Sequence, residues 1–95
     1  MDKTESVQDL PESVPDRQAT HGDYAGYCHA VAAISAAVEC SLVKPLGHVP
    51  EESLNMIIRK VARITTGDPN FVDHWLDIAG YATRMAEHLQ TSKTK

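Results

Sequence analysis

Aromatic side chains are scarce in this 95-residue chain, which has one Trp, one Phe and three Tyr. A short chain with few large side chains can bury only a limited core, so the length fits one domain and no more. Cysteine is scarce too. Cys28 and Cys40 fall on one expected helix, about 18 Å apart at 1.5 Å per residue, beyond the reach of a disulfide, and read as free thiols. Five histidines are present, but there is no Cys-x-x-Cys and no paired Cys/His spacing, which argues against a structural zinc site. Neither sign of charge dominates. Nine Lys and Arg against 13 Asp and Glu leave a formal net charge of -4, which argues against broad electrostatic binding to nucleic acid or anionic lipid and is too mild for a DNA mimic. Long hydrophobic runs are missing: the longest apolar stretch, 30–38, includes Ser35 and falls far short of the roughly 20 residues of a membrane span. Residues 1–20 lack the hydrophobic region of a signal peptide, so a cytoplasmic setting is the default expectation. No segment alternates apolar and polar residues for long, and no internal repeat occurs, so strands and repeat architectures are not expected.

What is present is helical periodicity. Residues 1–20 are rich in Asp, Glu, Ser, Thr, Gln and Pro, with isolated Val7, Leu10 and Val14, and are expected to form a loosely ordered leader. Residues 21–90 then form a single helical domain, and 91–95 a polar tail. The fold expected is all-α, with three main helices at about 23–42, 51–66 and 71–89. Asp23 is placed to cap the first, whose stripe is Tyr24, Tyr27, Cys28, Val31, Ile34, Ser35, Val38 and Leu42; Ala30, Ala32, Ala33, Ala36 and Ala37 raise its helix propensity. Pro45, Gly47 and Pro50 break the chain, with Pro50 suited to open the second helix. Its stripe is Leu54, Ile57, Ile58, Val61 and Ile64, and Gly67 ends it. Asp68-Pro69-Asn70 makes a turn, with Asn70 as N-cap and Asp73 completing a capping box. On the third helix the expected buried stripe is Val72, Trp75, Leu76, Ala79, Ala82, Ala86 and Leu89, while Asp73, Asp77, Tyr81, Arg84 and His88 fall along another side. The short turn makes the last two helices an antiparallel hairpin. So small an ordered core makes self-association the natural remedy, and a homo-oligomer is expected.

The hairpin gathers the residues that can carry chemistry. Counting outward from the turn sets Arg63 level with about His74 and Lys60 level with about Asp77, while Glu52 and Asn55 lie level with 81–85. One reading has Lys60, Arg63, Asp73 and Asp77 forming interhelical ion pairs that set register. The other makes them a pocket: Lys60 and Arg63 hold phosphate oxygens, and the carboxylates hold a divalent ion or accept ligand hydroxyls. His74-x-x-Asp77 and the Asp73, Asp77 pair each place two metal ligands one turn apart. Trp75 reads as a core anchor before a stacking platform, because it sits on the apolar stripe. Gly80 costs helix propensity and so signals close packing or room for a ligand; Tyr81 beside it offers a hydroxyl or a ring. Arg17, at the start of Arg17-Gln18-Ala19-Thr20-His21-Gly22-Asp23, brings a cation close to a helix N-terminus, where amides receive anions. Cys28 and His29, adjacent in sequence, point to different sides and make no nucleophile pair.

Three elements together, 17–23, Lys60-Val61-Ala62-Arg63-Ile64 and Asp73-His74-Trp75-Leu76-Asp77-Ile78-Ala79-Gly80-Tyr81-Ala82, resemble a family of small tailed-phage and prophage proteins of unknown function. The likeness spans about 16–89, with His21 where that family commonly has Tyr. That family in turn looks like distant relatives of the all-α, MazG-like nucleotide pyrophosphohydrolases, which hold magnesium with Glu-x-x-Glu on one helix and Glu-x-x-Asp on the next. Here Glu52-x-x-Asn55 and His74-x-x-Asp77 stand at those places, so two of the four carboxylates are replaced. The resemblance implies a nucleotide-binding protein using Arg17, Lys60, Arg63, Asp73, Asp77 and Tyr81, with magnesium near Glu52, Asp73, His74 and Asp77 if it is an enzyme. Fewer anionic oxygens hold magnesium less well, which favours binding over catalysis. The alternatives are a phage inhibitor or interaction protein acting on a host or defence component in the host cytoplasm, and a nucleotide-sequestering protein.

Overall fold

The structure, a computed structural model, describes residues 23–94, with side chains through residue 92. These residues form three helices: α1 (Tyr24–Ser41), α2 (His48–Thr66) and α3 (Val72–Thr94). Among the described residues there is no strand, and no helix is long and apolar enough to cross a membrane. The all-α class read from the sequence holds. The leader and Arg17 lie outside the described residues.

The helix boundaries follow local chemistry. Asp23 takes the extended backbone of an N-cap, and its carbonyl accepts the Tyr27 N–H at 3.0 Å, although its carboxylate makes no capping hydrogen bond. At the other end of α1 the Ser41 hydroxyl donates to the Val38 carbonyl at 2.9 Å, closing a carbonyl that the ended helix leaves open. Gly47 then adopts φ +88, a left-handed value that side chains rarely tolerate, and becomes the N-cap of α2. The helix therefore starts at His48, ahead of the start expected at 51. Pro50 falls inside its first turn, where a missing N–H removes no helical bond. At the far end both the Thr65 and Thr66 hydroxyls donate to the Ala62 carbonyl, at 3.2 and 2.7 Å.

The turn into α3 differs from the expected capping box. Asn70 does not cap the helix; its N–H donates to Asp68 Oδ1 at 2.9 Å, and the Phe71 N–H donates to the Asp68 carbonyl at 3.2 Å. Asp68 thus organises the turn with its own side chain, a conformation available to Asp beside Pro, and α3 begins at Val72. It runs on to Thr94, so residues expected as a polar tail continue the helix.

Packing is centred on α2, against which both α1 and α3 lie, with far less contact between α1 and α3 themselves. Among the described residues, the buried hydrophobic ones are Ile58 and Ala62, both on α2. No α1 residue is fully buried: Tyr27, Ala30, Val31, Ile34, Ser35 and Val38 are half-buried, whereas Tyr24, Cys28 and Leu42 of its expected stripe are exposed.

The largest correction concerns the rotation of α3. Val72, Trp75, Leu76, Ala79, Ala82, Ala86 and Leu89, expected in the core, are all exposed. The side nearer the core carries Phe71, Asp77, Ile78, Tyr81 and Met85, half-buried, and His74, which retains 2% exposure and meets the Phe71 ring edge-on at 4.9 Å. Two apolar lines run along this helix, and α2 covers only one. The selected rotation lets the Trp75 indole N–H donate to the Pro69 carbonyl at 2.8 Å and brings Asp77 to Lys60. Because Ile58 sits in the small buried centre, Ile58→Ala is expected to lower unfolding stability by about 2–4 kcal/mol, measured by urea denaturation followed by circular dichroism.

Candidate functional site

The two lysine and arginine residues of the expected pocket face different partners. Lys60 Nζ lies 3.0 Å from Asp77 Oδ2, joining α2 to α3. With 24% and 45% of the two side chains exposed, solvent screens this pair, and it adds little stability. The Arg63 guanidinium instead lies over the Tyr27 ring of α1, 3.8 Å from its centroid, a cation–π contact. The paired cations are thus divided between the two helix seams.

The acidic residues are dispersed as well. Glu52 is exposed on α2, Asp73 is exposed in the first turn of α3, and His74 is buried beside Phe71. Tyr81 is half-buried, with Arg84 6.0 Å from its ring centroid. Among the described residues, no group of three or more His, Cys, Asp and Glu side chains is arranged to hold a metal ion. Asn55, at the place of a magnesium ligand in the resemblance, lines a cavity on another side of α2.

That cavity, of about 230 Å³, lies between the end of α1 and the start of α2. Val38, Leu54 and Ile58 line it together with Glu39, Glu51 and Asn55. It is smaller than the roughly 300–1,000 Å³ of ordinary small-molecule sites. Among the described residues, none of the expected ligand-binding side chains, Lys60, Arg63, Asp73, Asp77 or Tyr81, borders it.

At the opposite end of the α1–α2 seam, Tyr24, Tyr27, Cys28 and Arg63 form a second group. The Tyr24 and Tyr27 rings are 6.2 Å apart at their centroids. Cys28, by a side-chain hydrogen bond and by charge, raises the Tyr24 phenol above its ordinary value, with Arg63 opposing weakly. A phenol shifted upward stays protonated at neutral pH, so this group offers stacking and a cation but no general base.

The remaining feature is the outward face of α3. Trp75 keeps 53% of its surface exposed and Leu76 61%, and Val72 and Leu89 are exposed to a similar degree. The one polar atom of the indole is already satisfied by Pro69, so what Trp75 presents outward is hydrocarbon surface held in one orientation. Gly80, off this stripe, is open as well: among the described residues no atom outside its own helix backbone lies within 4 Å of where its Cβ would stand. Packing among the described residues therefore does not account for a glycine that costs a helix about 1 kcal/mol. Sequence periodicity located this stripe but assigned it to the core; its missing signal was the lack of a second helix long enough to cover both lines.

Comparison with protein-family models, with curated proteins and with solved structures finds no match for the chain.

A double-mutant cycle on Lys60→Met and Asp77→Asn is expected to give a coupling of about 0.2–1 kcal/mol that shrinks in high salt. Thermal or urea unfolding at two ionic strengths measures it.

Proposed function

We propose that this chain is a non-enzymatic interaction protein whose working surface is the outward face of α3. The observation that carries this reading is the exposed line Val72, Trp75, Leu76, Ala79, Ala82, Ala86 and Leu89, apolar throughout on a helix otherwise rich in charge. Such a contiguous face on a small domain marks a protein contact, and a Trp held in place by its own hydrogen bond has the character of a binding hot spot. The dispersed carboxylates give no comparable support to magnesium-dependent hydrolysis. On the phage resemblance, the setting is the cytoplasm of a host cell, with a host or defence component among the partners to be tried.

Nucleotide binding is the second reading, and it draws on Arg63. A guanidinium stacked on Tyr27, close to the exposed ring of Tyr24, offers a phosphate contact beside a stacking surface. Thermal shift with nucleotides and cyclic nucleotides, with and without magnesium, tests it; stabilisation abolished by Arg63→Ala supports it, and no stabilisation by any of them removes it.

For the first reading, the single Trp is the probe. Dilute protein is expected to show the red-shifted, readily quenched emission of a water-exposed indole, shifting to the blue when the α3 face is occupied. An indole emission insensitive to protein concentration and to every added partner counts against this function.

A further inference from the structure

The cavity between the end of α1 and the start of α2 joins two chemistries. On its inner side it reaches the buried Ile58, with the half-buried Val38 and Leu54. On its outer side stand two exposed glutamates, Glu39 from α1 and Glu51 from α2, and the half-buried Asn55 adds an amide. No Lys, Arg or His among the described residues lines it. Lys44, the nearest cation in sequence to either glutamate, is exposed in the connection and pairs with neither. Glu51 lies in the first turn of α2, where the helix dipole favours an anion, so its charge has a structural reason. Glu39 has none. It stands at the negative end of α1, whose last turn carries no basic residue, and among the described residues its carboxylate meets no cation. The helix end, Glu39 and Glu51 therefore add their negative potentials over one apolar hollow.

We propose that this cavity binds a small organic cation, an ammonium group carried on a compact apolar body. The body displaces water from Val38, Leu54 and Ile58, while the ammonium stays at the outer side and donates to the Glu39 and Glu51 carboxylates without leaving solvent altogether. The Asn55 amide oxygen is a further acceptor. Each feature of the lining excludes a different ligand class. A phosphate or a carboxylate meets two like charges and no cation. A neutral apolar molecule leaves both carboxylates unused. A bare metal ion has no use for the apolar wall, and among the described residues no group of three ligating side chains awaits it. Size limits the body, because about 230 Å³ lies below the range of ordinary small-molecule sites. The cavity shares no residue with the outer face of α3 or with the Arg63 group, so it stands independently of both readings given above.

The probes are cyclohexylmethylamine, its neutral analogue cyclohexylmethanol and the anion cyclohexanecarboxylate, each titrated into the full chain at neutral pH and low salt and followed by backbone amide NMR shifts. The amine is expected to move the amides of Leu54, Asn55 and Ile58 but not those of Ala79 and Ala82 on α3. Its dissociation constant should be on the order of a millimolar, about 3–10-fold tighter than that of the alcohol, and the carboxylate should bind more weakly than either. Glu39→Gln and Glu51→Gln change exposed side chains and leave the apolar wall intact; each should weaken the amine about 2–5-fold and leave the alcohol unchanged. Ser35→Met, which puts a flexible side chain into the cavity, should remove binding of both amine and alcohol with helicity retained. Should that variant unfold, the two Glu→Gln variants decide. Amides at 54–58 that stay unmoved at every amine concentration overturn the site. An alcohol bound as tightly as the amine, or an amine affinity untouched by both Glu→Gln variants, overturns the choice of a cation.

Discussion

The contact between Ile58 and Ala62 on α2 and the two helices flanking them organises this molecule. α2 is the element against which both α1 and α3 lie, and its two buried side chains are the hydrophobic residues fully withdrawn from water among those described. One helix has a limited circumference. Once α1 takes one side and α3 another, each flanking helix can bury only a narrow strip, and their remaining apolar positions stay outside. The alanines of α1 and the outer stripe of α3 follow from that geometry, not from local propensity.

The observed rotation of α3 carries two polar contacts, the Trp75–Pro69 hydrogen bond and the Lys60–Asp77 pair. Turning the helix to bury Trp75 would separate the indole N–H from the Pro69 carbonyl and move Asp77 from Lys60. An indole N–H buried without an acceptor forfeits about 1–3 kcal/mol, comparable to what burying one large side chain returns. The hydrogen bond and the ion pair both belong to the rotation in which the less apolar of the two lines faces α2. Exposure of the Trp75 ring is the result. In this rotation the proposed working surface faces outward.

Helix number, the breaks at Gly47 and Gly67, the free cysteines and the Lys60–Asp77 pairing were all legible in the sequence, because each depends on residues close together or on counting from a short turn. The start of α2 was displaced because Pro50 was read as the opener, whereas Gly47 alone can take the left-handed backbone that begins it. The α3 error has a different origin. Periodicity reports that a line of apolar residues exists, and Val72, Trp75, Leu76, Ala79, Ala82, Ala86 and Leu89 make the more hydrophobic of two lines. It does not report which line the neighbouring helix reaches. In the structure α2 reaches the shorter line, with His74, Ile78, Tyr81 and Met85, and Asp77 at its edge meets Lys60.

The same rotation separates the residues that looked like a nucleotide pocket. Lys60 and Arg63 are three apart on α2, so they were expected to share a face. Yet Lys60 reaches across one seam to Asp77 and Arg63 across the other to Tyr27, because a helix packed on two sides draws its long side chains apart toward different neighbours. His74 and Asp77 divide in a comparable way: His74 is turned into the packed side, whereas Asp77 keeps nearly half its side chain in water. A spacing that suffices for joint ligation on a solvated helix does not suffice where one member is buried. Lys60, Asp77 and Arg63 are engaged in contacts between the helices, and the apolar face of α3 stays in water.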